Sequence, residues 1–311
     1  MDAEALAAAA VTGQPRAVAK ALTVVETGGA PAQELLGRLK GRGGTVKTVG
    51  VTGAPGVGKS SLVQSLGLEL LRRHGRLAVL AVDPSSPFSG GALLGDRVRM
   101  PDLAARGAFV RSMASRGALG GLAAATSDAV DVLAAAGHGW VLIETVGVGQ
   151  AEVDIAGEAD TCLVVTTAGA GDDIQAAKAG LLEIGDVFVV NKADRPGADE
   201  QADYLLGMLE LRPDTGWRPP VVRTAALTGE GIGELADAVD AHQGFLAHDG
   251  RRAALHRRRA ERRIERALAE LAYRGARSAG FETVVAAVAA GELDPYTAAG
   301  ELWHAIRREA P

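Results

Sequence analysis

Cysteine is nearly absent from this 311-residue sequence: only Cys162 occurs, so no disulfide can form within the chain. Aromatic residues make up only 4% of the chain. Its apolar residues are mostly Ala, Val and Leu, which suits helices packed on a Val-rich sheet rather than a β-sandwich. No apolar run reaches the roughly 18 residues of a membrane-spanning helix, because Gly, Pro or a charge interrupts each one. The opening "MDAEALAAAAVTG" lacks a cationic secretory leader, and the expected compartment is the cytoplasm. A net charge of −5 gives no general attraction to nucleic acid or to an anionic membrane. Cys162 has no Cys or His partner at metal-ligand spacing, so it reads as core packing and no transition-metal site is assigned.

With 47% hydrophobic residues the chain can bury one or two full cores. Residues 1–44 read as an N-terminal helical extension, broken near Gly13-Gln14-Pro15 and Gly28-Gly29. From 45 to 248, near-continuous apolar runs at Val46–Thr52, Leu77–Val82, Phe109–Val110, Trp140–Glu144, Thr161–Thr166, Val187–Val190 and Val221–Thr224 alternate with helix-length segments. That is the pattern of parallel strands covered on both faces, so the predicted fold is α/β, a doubly wound and mostly parallel sheet. Residues 249–311 read as a helical arm. Its Arg-rich stretch, Arg251 to Arg277, fits a solvated helix face or a partner contact. The apolar stripe Leu268, Leu271, Phe281, Val284, Val285 and Val288 predicts a homodimer contact there.

The strongest motif is Gly53-Ala54-Pro55-Gly56-Val57-Gly58-Lys59-Ser60, followed by Ser61, lying between an apolar strand and a helix. In such a phosphate loop the glycines let backbone N–H groups face phosphate oxygens. Lys59 reaches the β- and γ-phosphates, and Ser60 offers its hydroxyl to magnesium. Asn191-Lys192-Ala193-Asp194 follows the strand "DVFVV". Guanine presents N1–H and a 2-amino group that one carboxylate can accept together, so Asp194 is the expected base reader, selecting GTP and GDP over adenine nucleotides. "TAALTGEG" supplies Ala225, Ala226 and Leu227 to a loop whose backbone N–H would meet guanine O6.

In "WVLIETVGVGQAE" a strand ends at Glu144, and Gly147 stands where a γ-phosphate is sensed. Glu144 can hold a magnesium-bound water or orient the attacking water, and the sequence leaves both open. Asp83, at a strand end, is a second magnesium candidate. Asp96, after a Gly-rich loop, is either a third metal-side and catalytic acid or a solvated loop acid. By composition "TTAGAGDDIQAAKAG" is an ordinary loop leading into a capped helix.

Together "GAPGVGKSS", "VDPSSPFSGGALLGDRVRM", "SMASRGALGG", "ETVGVGQAE", "GAGDDIQAAKAG", "NKAD" and "DPYTAAGELW" span nearly the whole chain. The chain resembles the MeaB/ArgK family of P-loop GTPase chaperones for adenosylcobalamin-dependent acyl-CoA mutases, such as methylmalonyl-CoA mutase. The resemblance implies Lys59 and Ser60 at phosphate and magnesium, Asp83, Asp96 and Glu144 around metal and water, and Asp172, Gln175 and Lys178 in a further switch. It also implies a homodimer through the C-terminal arm, and a mutase partner whose cofactor loading and protection the GTPase gates. Ser61, Arg97 and Ala118 depart from the residues usual in the family and leave the particular mutase open. The competing readings are a nickel or zinc metallochaperone GTPase, which needs Cys/His ligands, and a small-molecule kinase, which needs an acceptor site.

Overall fold

The computed structural model describes residues 2–83, 100–114, 121–145, 157–168 and 180–309. They group into two compact units, Met1–His256 and Arg257–Pro311.

The first unit opens with three helices, α1 (Ala3–Val11), α2 (Pro15–Thr27) and α3 (Gly29–Leu39). Strand β1 (Lys47–Thr52) then runs through the phosphate-loop motif into α4 (Lys59–His74), followed by β2 (Leu77–Asp83). The short helix α5 (Pro101–Ala105), β3 (Phe109–Ala114), α6 (Gly121–Ala135) and β4 (Trp140–Thr145) come next. The unit continues through β5 (Thr161–Thr167), α7 (Gly180–Ile184), β6 (Val187–Asn191), α8 (Ala198–Leu209), β7 (Val221–Thr224) and α9 (Ile232–Ala247). Helix α10 (Arg251–Ser278) begins in this unit.

The strands form one seven-stranded sheet in the order β3-β2-β4-β1-β5-β6-β7. Every pairing is parallel. Both faces are covered, which is why the strands read as unbroken apolar runs rather than as alternating ones. On one face Val49, Val51, Leu142, Leu163 and Val165 pack with α4 and α9. On the other, Ala78, Leu80, Val82, Val141 and Ile143 pack with α6 and with α1–α3, so Leu22 and Leu35 of the N-terminal helices belong to the core of the sheet domain. Cys162 is buried in β5, with Phe188 and Leu205 in the same apolar cluster.

Strand β3 is longer than its apolar dipeptide predicts, because Arg111 and Ser112 interrupt the pattern without ending the strand. The Arg111 guanidinium is buried and donates to Glu26 Oε2 at 3.2 Å and to the Thr23 hydroxyl at 3.1 Å, both on α2. A distant helix thus supplies the counter-charge that permits arginine in a covered strand.

The second unit contains the rest of α10, with α11 (Phe281–Ala289) and α12 (Pro295–Glu309). Asp294 caps α12 by accepting from the amides of Tyr296 and Thr297 at 2.9 and 3.1 Å, so "DPYT" is a helix start. Ala276, Ala298 and Leu302 are buried, while Ile264, Leu268, Leu271, Val285, Tyr296 and Trp303 are exposed. No described helix is long and apolar enough to cross a membrane.

Removing one partner of a buried ion pair strands the other charge. Glu26→Ala is therefore expected to destabilise the first unit by about 3 kcal/mol or more, and adding Arg111→Met should restore most of that loss. Urea unfolding of the three proteins measures this; equal midpoints for wild type and Glu26→Ala would show that the pair contributes nothing.

Candidate functional site

All seven strands point the same way, and their C-terminal ends bring three separated motifs to one edge of the sheet. The phosphate-loop motif leaves β1, the Asn191 segment leaves β6, and residues 225–231 leave β7.

The loop after β1 depends on close backbone approach. A Cβ on Gly53 would lie 2.1 Å from the carbonyl oxygen of Val165 in β5, and one on Gly58 would lie 2.5 Å from Asn191 Nδ2. Both glycines also have positive φ, 143° and 95°. Gly58 is the N-cap of α4 and offers no side-chain acceptor to that helix. The first-turn amides of α4 therefore remain available to an anion, where the helix dipole favours negative charge. The Lys59 ammonium is buried and donates to the carbonyls of Gly53 and Ala54 at 2.5 and 3.0 Å, which holds it across the loop.

Ser60 donates its hydroxyl to Glu144 Oε1. Strand register explains the pairing: Glu144 lies opposite Val51, two residues before Gly53, at the end of the neighbouring strand. Glu144 is buried, so the strand end presents a carboxylate to the phosphate loop rather than to bulk water. A hydroxyl and a carboxylate are hard oxygen donors, a set suited to magnesium, which takes one or two protein carboxylates together with phosphate oxygens and water. Asp83 closes β2 at the same edge of the sheet, next to β4.

The Asn191 side chain ties the other two loops together. Its Nδ2 donates to the Val57 carbonyl at 2.8 Å, and its Oδ1 accepts from the Thr224 hydroxyl at 3.1 Å and from the Ala226 amide at 3.3 Å. Lys192, at a φ of 59°, donates to the Gly56 carbonyl at 2.6 Å. Asp194 is exposed beside this assembly. A cavity of about 830 Å³ lies along α4 between α5 and the loop after β7, lined by Gln64, Ser65, Arg72, Asp102, Ala226 and Leu227 among others, and it borders the phosphate loop only at Ser60 and Ser61. The Leu227 side chain is 91% exposed at its mouth.

The structure thus gathers Gly53 to Ser61, Glu144, Asn191, Lys192, Asp194 and Ala225 to Leu227 at one edge. Asp83 is placed there by its backbone alone. Asp96, Gly147, Asp172, Gln175 and Lys178 lie outside the described residues. Two anchors escaped the reading of the sequence: Thr224, and Ser65, whose hydroxyl donates to the Ala226 carbonyl at 2.6 Å. Thr224 had a signal in standing just before Ala225-Ala226-Leu227, whereas Ser65 shows only as one small residue on a helix.

Comparison with known proteins gives the family and the fold. Residues 18–279 match the model of the family described as methylmalonyl Co-A mutase-associated GTPase MeaB. A "Putative GTPase" of Pyrococcus horikoshii is 45% identical over 294 residues, covering 92% of this chain and 93% of its own. The GTPase ArgK of Escherichia coli is 38% identical over 250 residues, covering 77% and 75%. A crystal structure named as an LAO/AO transport system kinase superposes with a TM-score of 0.71 at 26% identity, covering 98% of this chain and 97% of that one.

Gly53→Ala should weaken GDP and GTP binding by about tenfold or more, because the loop must move off β5 to admit a Cβ. Gly44→Ala, where nothing lies within 4 Å of the added carbon, is the control and should bind as wild type does. Isothermal calorimetry decides; equal affinities for the two variants would mean that the contact of Gly53 with β5 does not shape the loop.

Proposed function

Because the chain belongs to the MeaB family of GTPases, we propose that its GTPase cycle serves an adenosylcobalamin-dependent acyl-CoA mutase as a switch that gates cofactor loading and protection. The chain is a GTP hydrolase with a P-loop fold. The match of residues 18–279 to the family described as methylmalonyl Co-A mutase-associated GTPase MeaB carries the mutase reading, and the single edge at which Lys59, Ser60 with Glu144, and the Asn191–Asp194 segment meet supports the nucleotide chemistry.

In this reading the amides of the phosphate loop and the Lys59 ammonium take the β- and γ-phosphate oxygens, and Asp194 takes the two guanine donors, with the Ala226 region at O6. Ser60 and Glu144 would hold magnesium, with Asp83 and Asp96 as further candidates. The ion, when bound, neutralises charge on the phosphate oxygens. Glu144 keeps the Ser60 hydroxyl oriented and would hold either a magnesium-bound water or the attacking water. Asp172, Gln175 and Lys178 are assigned to the segment that senses the partner. The exposed apolar positions Leu268, Leu271 and Val285 support a homodimer contact in the arm. Neither a nickel or zinc carrier nor a small-molecule kinase is favoured, and free phosphate rather than phosphorylated acceptor is the expected product.

Glu144→Ala should slow hydrolysis by about tenfold or more while GDP still binds. An unchanged rate with unchanged magnesium dependence would make Glu144 structural.

A mutase can order the loops at this edge only to the extent that it prefers one nucleotide state, and linkage then requires nucleotide to change mutase affinity. Phosphate release, measured with and without each acyl-CoA mutase of the same cell, should rise with one of them. Lys178→Ala should lose most of that rise and little of the basal rate. If no mutase alters the rate or binds in a nucleotide-dependent way, the chaperone reading fails and the GTPase assignment stands.

A further inference from the structure

The sheet edge opposite the nucleotide site carries a buried polar network that the GTPase chemistry does not use. At its centre the side chain of Asp160 is 1% exposed. Asp160 Oδ2 accepts from the Thr48 amide at 3.0 Å, and the Asp160 amide donates to the Thr48 hydroxyl oxygen at 2.8 Å, so the starts of β1 and β5 are stitched in both directions. Arg252, in the first turn of α10, donates to the same carboxylate oxygen at 3.3 Å. Its other terminal nitrogen donates to Gln243 of α9 twice, to the backbone carbonyl at 3.2 Å and to Oε1 at 2.8 Å.

From there the bonds return to the sheet. Gln243 Nε2 donates to the Thr161 hydroxyl at 2.9 Å, and that hydroxyl lies 2.9 Å from His242 Nδ1. Burial holds His242 down to about 4, so its ring is neutral and Nδ1 accepts the Thr161 proton. The remaining Nε2–H faces Asp186 Oδ1 at 3.4 Å. Each of these contacts has a donor matched to an acceptor, as a buried network requires if it is to fix one geometry.

A helix start needs only one side-chain acceptor at its cap. The start of α10 instead has a guanidinium and a carboxylate taken largely out of water, an arrangement that is weak as a source of stability and best suited to fixing register. What it fixes is specific. Thr48 is the second residue of β1, the strand that becomes the phosphate loop. Thr161 opens β5, which receives Gly53 against Val165 and then leads to residues 169–179. The two strands are paired neighbours, with Val49 opposite Thr161. A strand of this length spans about 20 Å, so any shift of β1 against β5 at the phosphate end reaches Asp160 through a short, stiff pair of ladders.

We propose that Arg252 with Asp160 is a coupling latch, delivering the nucleotide-dependent setting of β1 and β5 to the first turns of α10, residues 251–256. The inference rests on the GTPase reading of the site and is independent of the identity of the mutase. Arg252 acts through Asp160 and touches no nucleotide, so it is a positioning residue. Coupling of this kind is reciprocal: whatever grips α10 must alter nucleotide affinity by the same factor.

Hydrogen exchange on the full chain, with GDP and with a non-hydrolysable GTP analogue, tests this. In wild type the amides of residues 251–256 should exchange at rates that differ by about threefold or more between the two nucleotides. In Arg252→Met, which strands the Asp160 carboxylate and lowers overall stability, that difference should vanish, while GDP affinity stays within about twofold and any loss of protection in β1 is the same in both nucleotide states. Arg252→Lys, which keeps the charge but not the fork, should recover part of the difference and guards against a fold defect in the first variant. Equal exchange in both nucleotide states of wild type, or a full difference retained in Arg252→Met, would overturn the latch. Failure of wild type to bind GDP in the same samples would instead overturn the reading of the nucleotide site, and the latch with it.

Discussion

The buried amide of Asn191 donates to Val57 in the phosphate loop and accepts from Thr224 and Ala226 in the loop after β7. An amide suits this position because it carries donors and an acceptor on one planar group. A carboxylate would set an acceptor against the Val57 carbonyl, and an aliphatic side chain would strand several buried partners. Gly58 is constrained by the same group, since any Cβ there would strike Asn191 Nδ2. The loops after β1 and β7 are thereby built around one side chain, so the distance between them is set by the sheet and not by loop flexibility.

Much of this edge was legible in the sequence, for a physical reason. A phosphate loop needs glycine where backbone meets backbone, as at Gly53 against β5, and a lysine and a hydroxyl where charge must be met. These demands are local and leave a spaced motif. The strands were legible because burial on both faces makes them uniformly apolar. Strand β3 was read short because Arg111 depends on Glu26, 85 residues away, and no local pattern announces a distant counter-charge. The packing of α1–α3 into the core was hidden for a similar reason: amphipathic helices show that a face is buried, not what buries it. The network around Asp160 was missed because its members come from β1, β5, α9 and α10.

The sheet therefore has two polar ends with different chemistry. At the C-terminal ends of the strands lie oxygen donors, exposed loop amides and a lysine, a surface built to meet an anion. At the N-terminal ends, among the described residues, lies a set of buried polar groups paired with one another. A parallel sheet suits such a division, because all strands deliver their loops to the same side and leave their starts for anchoring the helices that follow.

Whether this edge reads guanine is measured most directly by the affinity of the wild-type chain for GDP against ADP with magnesium present. One carboxylate accepting from N1–H and the 2-amino group gives a preference that adenine cannot match, and GDP should bind at least about tenfold tighter. Equal affinities for the two nucleotides would contradict the account at its base.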